Sequence, residues 1–155
     1  MVTPTLSRFL ELAKDFSLVP IYKEVTNLGT PLELLKKVLS YRYPFLLESA
    51  RPHPVTGRYS FLGWDPFLTF KSKGDWIWIE KDGEVESMRG EPLKVLQRLL
   101  SQYRSPKLPG FPPLNGGAVG YFSYEVRHFL EKLPNFAKDD LLLPDIFLLF
   151  VDQAI

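Results

Sequence analysis

FLTFKSKGDWIWIEKDGEVESM, residues 67–88, decides the architecture. It divides into the runs FLTFKSK, DWIWIE and EVESM, each short and rich in β-branched or aromatic residues. The corner Lys81-Asp82-Gly83 is a hairpin signal, because Asp-Gly suits a tight turn needing positive φ. With RYSFLG at 58–63, the stretch reads as an antiparallel meander of short strands. Trp76 and Trp78 alternate with Ile77 and Ile79, which makes both faces of that strand apolar. One face is expected to meet helices and the other a second layer. The tryptophan pair reads as core rather than as a stacking platform for bases, since no basic residues interleave with it.

Helical signals flank the meander. Leu6, Phe9, Leu10, Ala13 and Phe16 recur at helical spacing and predict a helix over 5–16. VPIYKEV at 19–25 has strand composition. Thr30 and Pro31 suit the N-cap and first turn of a second helix. Its stripe is Leu32, Leu35, Val38 and Leu39, and Pro44 stops it. A strand at 45–49 follows. A third helix over 91–104 turns Leu93, Leu96, Leu99 and Leu100 inward and ends before the proline-rich SPKLPGFPP. Residues 117–122 read as a strand, 123–131 as a short helix, and LPDIFLLFVDQAI as a very apolar last strand. The expected class is α+β, a mainly antiparallel sheet flanked by helices, with residues 1–155 forming a single domain. The run IFLLFV reaches almost to the end of the chain. An apolar face must be covered, so the expectation is a fragment whose continuation packs there.

Composition narrows the function. A chain of 155 residues with 45% hydrophobic and 14% aromatic residues is not disordered. At this size, folding buries about 68–70% of the unfolded surface. The net charge of +1 gives no reason to expect nucleic acid or anionic lipid as partner. With no cysteine there is no disulfide scaffold, thiolate metal site or cysteine nucleophile. No apolar run approaches the roughly 18 residues of a membrane span, and the N-terminus lacks a signal-peptide core. A cytoplasmic location is expected.

Catalytic motifs are sparse. No GxSxG elbow is present, and Gly116, Gly117 and Gly120 match neither a Rossmann nor a P-loop fingerprint. Those glycines read as a strand approaching a neighbour closely, with backbone close to a ligand as the alternative. His53 and His128 lie far apart and read as surface residues; Asp139, Asp140 and Asp145 read as a solvated turn. No catalytic or metal-binding residue is expected. The remaining polar constellation lies in PFLLESARPHPVTGRYSFLGWDP, residues 44–66. In a regular strand Ser49 shares the face of Leu47, and Glu48 points the other way. A bulge, or a strand end at Glu48, is needed for both to serve one site. Glu48 and Arg58 are either a salt bridge tying two strands or part of a polar site. Glu48 and the Ser49 hydroxyl offer acceptors to an ammonium, and Arg58 offers donors to a carboxylate.

LLESA at 46–50, GRYSFLGWDP at 57–66, GGAVGYFSYEVRHFLEKLP at 116–134 and DDLLLPDIFLLFVD at 139–152 resemble, in order and spacing, the N-terminal region of anthranilate synthase component I. This is a chorismate-utilising family. Each piece alone is a weak match; the four in order cover nearly the whole chain. The resemblance implies a subunit roughly three times longer, in which this region packs against the catalytic part in a larger layered sandwich. Its absent C-terminal part binds chorismate and Mg²⁺; no cofactor is implied for this chain. The implied chemistry is amination of chorismate and loss of pyruvate to give anthranilate. The ammonia comes from glutamine by way of a glutaminase partner, component II. The N-terminal region is implied to share a feedback site for L-tryptophan. Leu47, Glu48 and Ser49 would be its signature residues and Arg58 and Tyr59 its neighbours. This chain alone is then expected to be inactive. The alternatives are the N-terminal domain of aminodeoxychorismate synthase component I, or a free-standing small-ligand-binding module.

Overall fold

The Asp82-Gly83 corner takes positive φ at both residues, 53° and 82°, and joins two strands in register. Around it the computed structural model describes residues 2–51, 53–55, 57–132, 134 and 138–155. In chain order the elements begin with β1 (Val2–Thr3), α1 (Leu6–Leu12), β2 (Tyr22–Lys23), α2 (Pro31–Val38), β3 (Phe45–Leu47) and β4 (Phe61–Gly63). They continue with β5 (Leu68–Lys73), β6 (Trp76–Lys81), β7 (Glu84–Arg89), α3 (Pro92–Gln102), β8 (Ala118–Phe122), a 3-10 helix (Tyr124–Phe129) and β9 (Ile146–Phe150). The class is α+β with a mainly antiparallel sheet, as the sequence predicts.

Two compact units divide the chain. One comprises Phe67–Ser101 and Ala118–Phe150. Its five strands pair antiparallel in the order β7-β6-β5-β9-β8. Directly opposed residues share a face, so Leu68, Phe70 and Ser72 of β5 align with Ile77 of β6 and with Ile146, Leu148 and Phe150 of β9. All seven are buried, and this face is the core. Pro92, Leu96 and Leu99 of α3 are buried with it; Leu100, predicted to face inward, is 43% exposed. On the opposite face Trp76 and Trp78 stack with ring centroids 6.2 Å apart, and Arg89 lies over Trp76. Trp76 is 43% exposed, which corrects the expectation of a core pair. Ile77, on the other side of the pleat, supplies the burial instead.

The apolar run IFLLFV also reads differently in space. β9 lies inside the sheet between β5 and β8, and Ile146, Leu148, Leu149, Phe150 and Val151 are all buried. Its greasiness is that of an inner strand buried within this unit. Gly120 explains how β8 approaches β9. A Cβ at Gly120 would overlap the Phe147 carbonyl oxygen and lie 2.9 Å from its carbon, so only glycine fits. This is the close approach predicted for that residue.

The second unit comprises Met1–Pro66, Gln102–Gly117 and Val151–Ile155. Thr30 caps α2: its hydroxyl accepts from the Glu33 N–H while the Glu33 carboxylate accepts from the Thr30 N–H, a reciprocal capping box. That pairing holds the Glu33 carboxyl below its ordinary pKa. α2 lies against β3 and β4, which pair antiparallel with Phe45 opposite Gly63 and Leu47 opposite Phe61. Val38 is buried, whereas Leu32 and Leu39 of the predicted stripe are exposed. The first helix, predicted over 5–16, spans Leu6–Leu12; it buries Leu12 and leaves Leu6 and Leu10 of the periodic set exposed. The predicted strand over 19–25 contracts to Tyr22–Lys23, paired with Val2–Thr3. On the outer edge of β4, Leu62 exchanges two backbone hydrogen bonds of 2.8 Å with Ile155, and Gly63 bridges to Ala154. No helix among the described residues is long and apolar enough to cross a membrane.

Candidate functional site

The constellation at 47–59 sits on the β3–β4 hairpin. Leu62 is 2% exposed, so the face it shares with Leu46 points inward. The other face carries Phe45 and Leu47 on β3 and Phe61 on β4. It is open: Leu47 is 43% exposed, and Phe45 and Phe61 are half-buried. Tyr59 extends it, stacked on Phe61 at 5.9 Å with 17° between the rings. The Arg58 guanidinium lies 5.1 Å from the centroid of the Tyr59 ring, within cation–π range. The result is a row of guanidinium, phenol, phenyl and leucine side chains on one side of the hairpin.

β3 ends at Leu47, so Glu48 and Ser49 lie beyond the ladder. This strand end is the condition under which strict alternation no longer separates them. Both are exposed; the Ser49 hydroxyl donates to the Arg51 carbonyl at 3.1 Å, a local turn contact. Among the described residues no ion pair joins Glu48 to Arg58, so the strand-tie alternative is not realised. Pro52 and Thr56, in the connecting loop, lie outside the described residues. The structure thus brings Leu47 and Tyr59 to one face and sets Ser49 and Arg58 beside its ends. Phe45 and Phe61, which complete the face, were not singled out by sequence reasoning. Their spacing of two from Leu47 and Tyr59 was the available signal.

Each unit also contains a concavity lined by residues other than those of the hairpin face. An apolar cleft of about 280 Å³ is lined by Val19, Tyr22, Phe111 and Leu114 together with Asn115 and Asp152. Tyr22 and Phe111 meet edge to face at 4.8 Å. In the sheet unit a charged cleft of about 390 Å³ is lined by Lys73, Glu125, His128, Asp139 and Asp145. There the Lys73 ammonium donates to Asp139, to the Leu143 carbonyl at 2.8 Å and to Asp145 at 3.4 Å. The hydrogen bond to Asp139 raises the lysine above its ordinary pKa and lowers the aspartate below its own.

Asp145 corrects the expectation of a solvated turn. It is 6% exposed, and its carboxylate accepts from the Gly74 N–H at 2.7 Å. His128 pairs with Glu125 at 2.9 Å, and His53 Nδ1 accepts from the Val55 N–H at 3.2 Å. Among the described residues no group of three or more His, Cys, Asp or Glu stands close enough together to hold a metal ion.

The fold is thus α+β, and its β3–β4 hairpin presents an open apolar and aromatic face with polar groups at its ends. Sequence comparison gives the particular family. The chain is 35% identical over its whole length to an anthranilate synthase component 1 from Acetivibrio thermocellus. It is 40% identical over 84% of its length to one from Synechocystis, and 37% identical over 98% to one from Mycobacterium bovis. No family model matches the chain. It covers 32%, 26% and 31% of those three relatives, about a third of their length or less. The chain corresponds to the N-terminal part of anthranilate synthase component 1.

Proposed function

We propose that this chain is the N-terminal regulatory part of an anthranilate synthase large subunit, and that the open face of the β3–β4 hairpin is half of its tryptophan feedback site. The complete enzyme would convert chorismate and glutamine-derived ammonia to anthranilate and pyruvate. Chorismate and Mg²⁺ would be held by the remainder of the subunit, glutamine would be handled by a separate glutaminase subunit, and this chain alone would not turn over chorismate. The names of the relatives favour the anthranilate branch over the aminodeoxychorismate one.

The observation that carries the reading is the end of β3 at Leu47. Past it, Glu48 and Ser49 leave the ladder beside a face made of Phe45, Leu47, Phe61 and Tyr59. An indole needs such an apolar wall, and an amino-acid zwitterion needs a few placed polar groups at its edge. Glu48 and Ser49 offer acceptors for the ammonium, and Arg58 offers two parallel donors for the carboxylate. A ligand held between this face and a second domain binds one arrangement of the two more tightly than another, which is the requirement for feedback inhibition.

The test is Ser49→Phe in the full-length subunit. A benzyl group there occupies ligand space, and the tryptophan concentration for half-inhibition should rise about tenfold or more, the scale of typical site-to-site coupling. The rate without tryptophan is measured alongside. An unchanged half-inhibition concentration removes Ser49 from the site. Glu48→Gln then separates ammonium contact from fold support: the first weakens inhibition, the second lowers only the melting temperature.

A further inference from the structure

Gly63 has no need of glycine's backbone freedom, since its φ lies outside the left-handed region. It has a need for space. A Cβ at Gly63 would overlap Phe45 Cζ, lie 2.5 Å from Phe45 Cε1 and sit 3.3 Å from the Gln153 carbonyl oxygen. The Phe45 ring therefore lies across the bare Cα of its cross-strand partner, the arrangement in which an aromatic covers a strand glycine.

β4 cannot give way. On its outer edge Leu62 is held by two hydrogen bonds to Ile155, and Gly63 itself is bridged to Ala154. Beyond its end the Asp65 N–H donates to the Arg42 carbonyl at 2.8 Å, while the Asp65 carboxylate accepts from the Arg42 N–H at 2.7 Å. A side chain at position 63 must therefore displace the ring of the half-buried Phe45, which is rooted at the start of β3. That strand is three residues long, and Glu48 and Ser49 follow directly. A strand this short transmits a shift at one end to the other.

We infer that Gly63 is a positioning residue of the effector site. The ring of Phe45, seated in the space Gly63 leaves, sets the height of β3 and so fixes where Leu47, Glu48 and Ser49 meet the ligand. The inference rests on the tryptophan reading above and names a residue that need not touch tryptophan.

The experiment measures tryptophan half-inhibition in the full-length subunit for wild type, Ser49→Phe, Gly63→Ala, Phe45→Leu and Phe45→Leu/Gly63→Ala. Leucine lacks the ring atoms that collide with a Cβ at 63. Gly63→Ala should raise the half-inhibiting concentration about tenfold over wild type; added to Phe45→Leu, which has already lost part of the apolar wall, it should raise it little further, a non-additivity expected of residues in direct contact. If Gly63→Ala does not fold, the double variant carries the test: a folded double variant inhibited like Phe45→Leu supports the inference, and one inhibited about tenfold more weakly than Phe45→Leu overturns it. A Gly63→Ala response equal to wild type, or a double variant as far above Phe45→Leu as Gly63→Ala is above wild type, also overturns it. If Ser49→Phe responds while Gly63→Ala does not, only this inference falls. A wild-type subunit insensitive to tryptophan removes the functional reading and the inference with it.

Discussion

Replacing Asp145 by alanine takes away the acceptor for the Gly74 N–H and one of the partners of Lys73. The first loss is a 2.7 Å hydrogen bond to a carboxylate that is 6% exposed. A hydrogen bond to a charged group contributes about 1.5–3 kcal/mol, and the lower part of that range applies because Gly74 is exposed and water can reach its N–H. The second is an ion pair at 3.4 Å to a lysine side chain that is 34% exposed, so screening limits it to about 1 kcal/mol or less. The backbone of Asp145 is untouched: its N–H still donates to the Ser72 carbonyl, and its carbonyl still accepts from the Ser123 N–H. The expected loss for Asp145→Ala is about 2–3 kcal/mol, or about 4–12 °C in melting temperature for a chain of this size. Asp145→Asn keeps an oxygen for Gly74 and loses only the charge, so it should cost about 1 kcal/mol. Thermal melts of the three proteins side by side provide the assay. An alanine variant as stable as wild type, or an asparagine variant as damaged as the alanine one, would refute the assignment of Gly74 as the principal partner.

Two further outcomes are expected. Gly120→Ala drives a methyl into the Phe147 carbonyl of the neighbouring strand, backbone against which no rotamer helps; it should destabilise by about 3 kcal/mol or more, at the upper end of overpacking costs, read by denaturant titration. The Lys73–Asp139 pair gives a signed pH dependence. Asp139 is lowered, so its contribution is present above the ordinary aspartate range and is lost as pH falls through the lowered value. Lys73 is raised, so its contribution is complete below the ordinary lysine value and is lost as pH rises through the raised one. Wild type should therefore melt above Asp139→Asn at neutral pH, with the gap closing in strong acid and strong alkali; a gap independent of pH would show that the pair is not the cause.

The signals that survived translation into three dimensions are those set by neighbours in sequence. Thr30-Pro31 announces the start of α2 because capping is local, and Asp82-Gly83 announces its turn because positive φ is a property of those residues. What failed depends on partners far along the chain. The exposed Leu6 and Leu10 follow a helical period as faithfully as a buried pair would, and the period does not say which side is covered. The place of β9 as an inner strand is likewise invisible until β5 and β8 are set on its two edges. In the candidate site, the hairpin and its polar residues were legible, and so was the need for a strand end. That β3 ends at Leu47 depends on β4 beginning at Phe61, a register set by pairing across a long loop. The seat of Phe45 on Gly63 was hidden for the same reason.

The pair of hydrogen bonds between Leu62 and Ile155 has a consequence in time. It closes a loop of about 90 residues, and such contacts form late because chain entropy opposes them. Translation adds a second delay, since Val151–Ile155 leave the ribosome after every strand of the sheet unit. β5 to β9 can therefore assemble while β4 still has a bare edge. The hairpin assigned to sensing is begun among the first elements of the chain and completed only after the last strand of the sheet unit, so until then its outer edge is an unpaired strand edge.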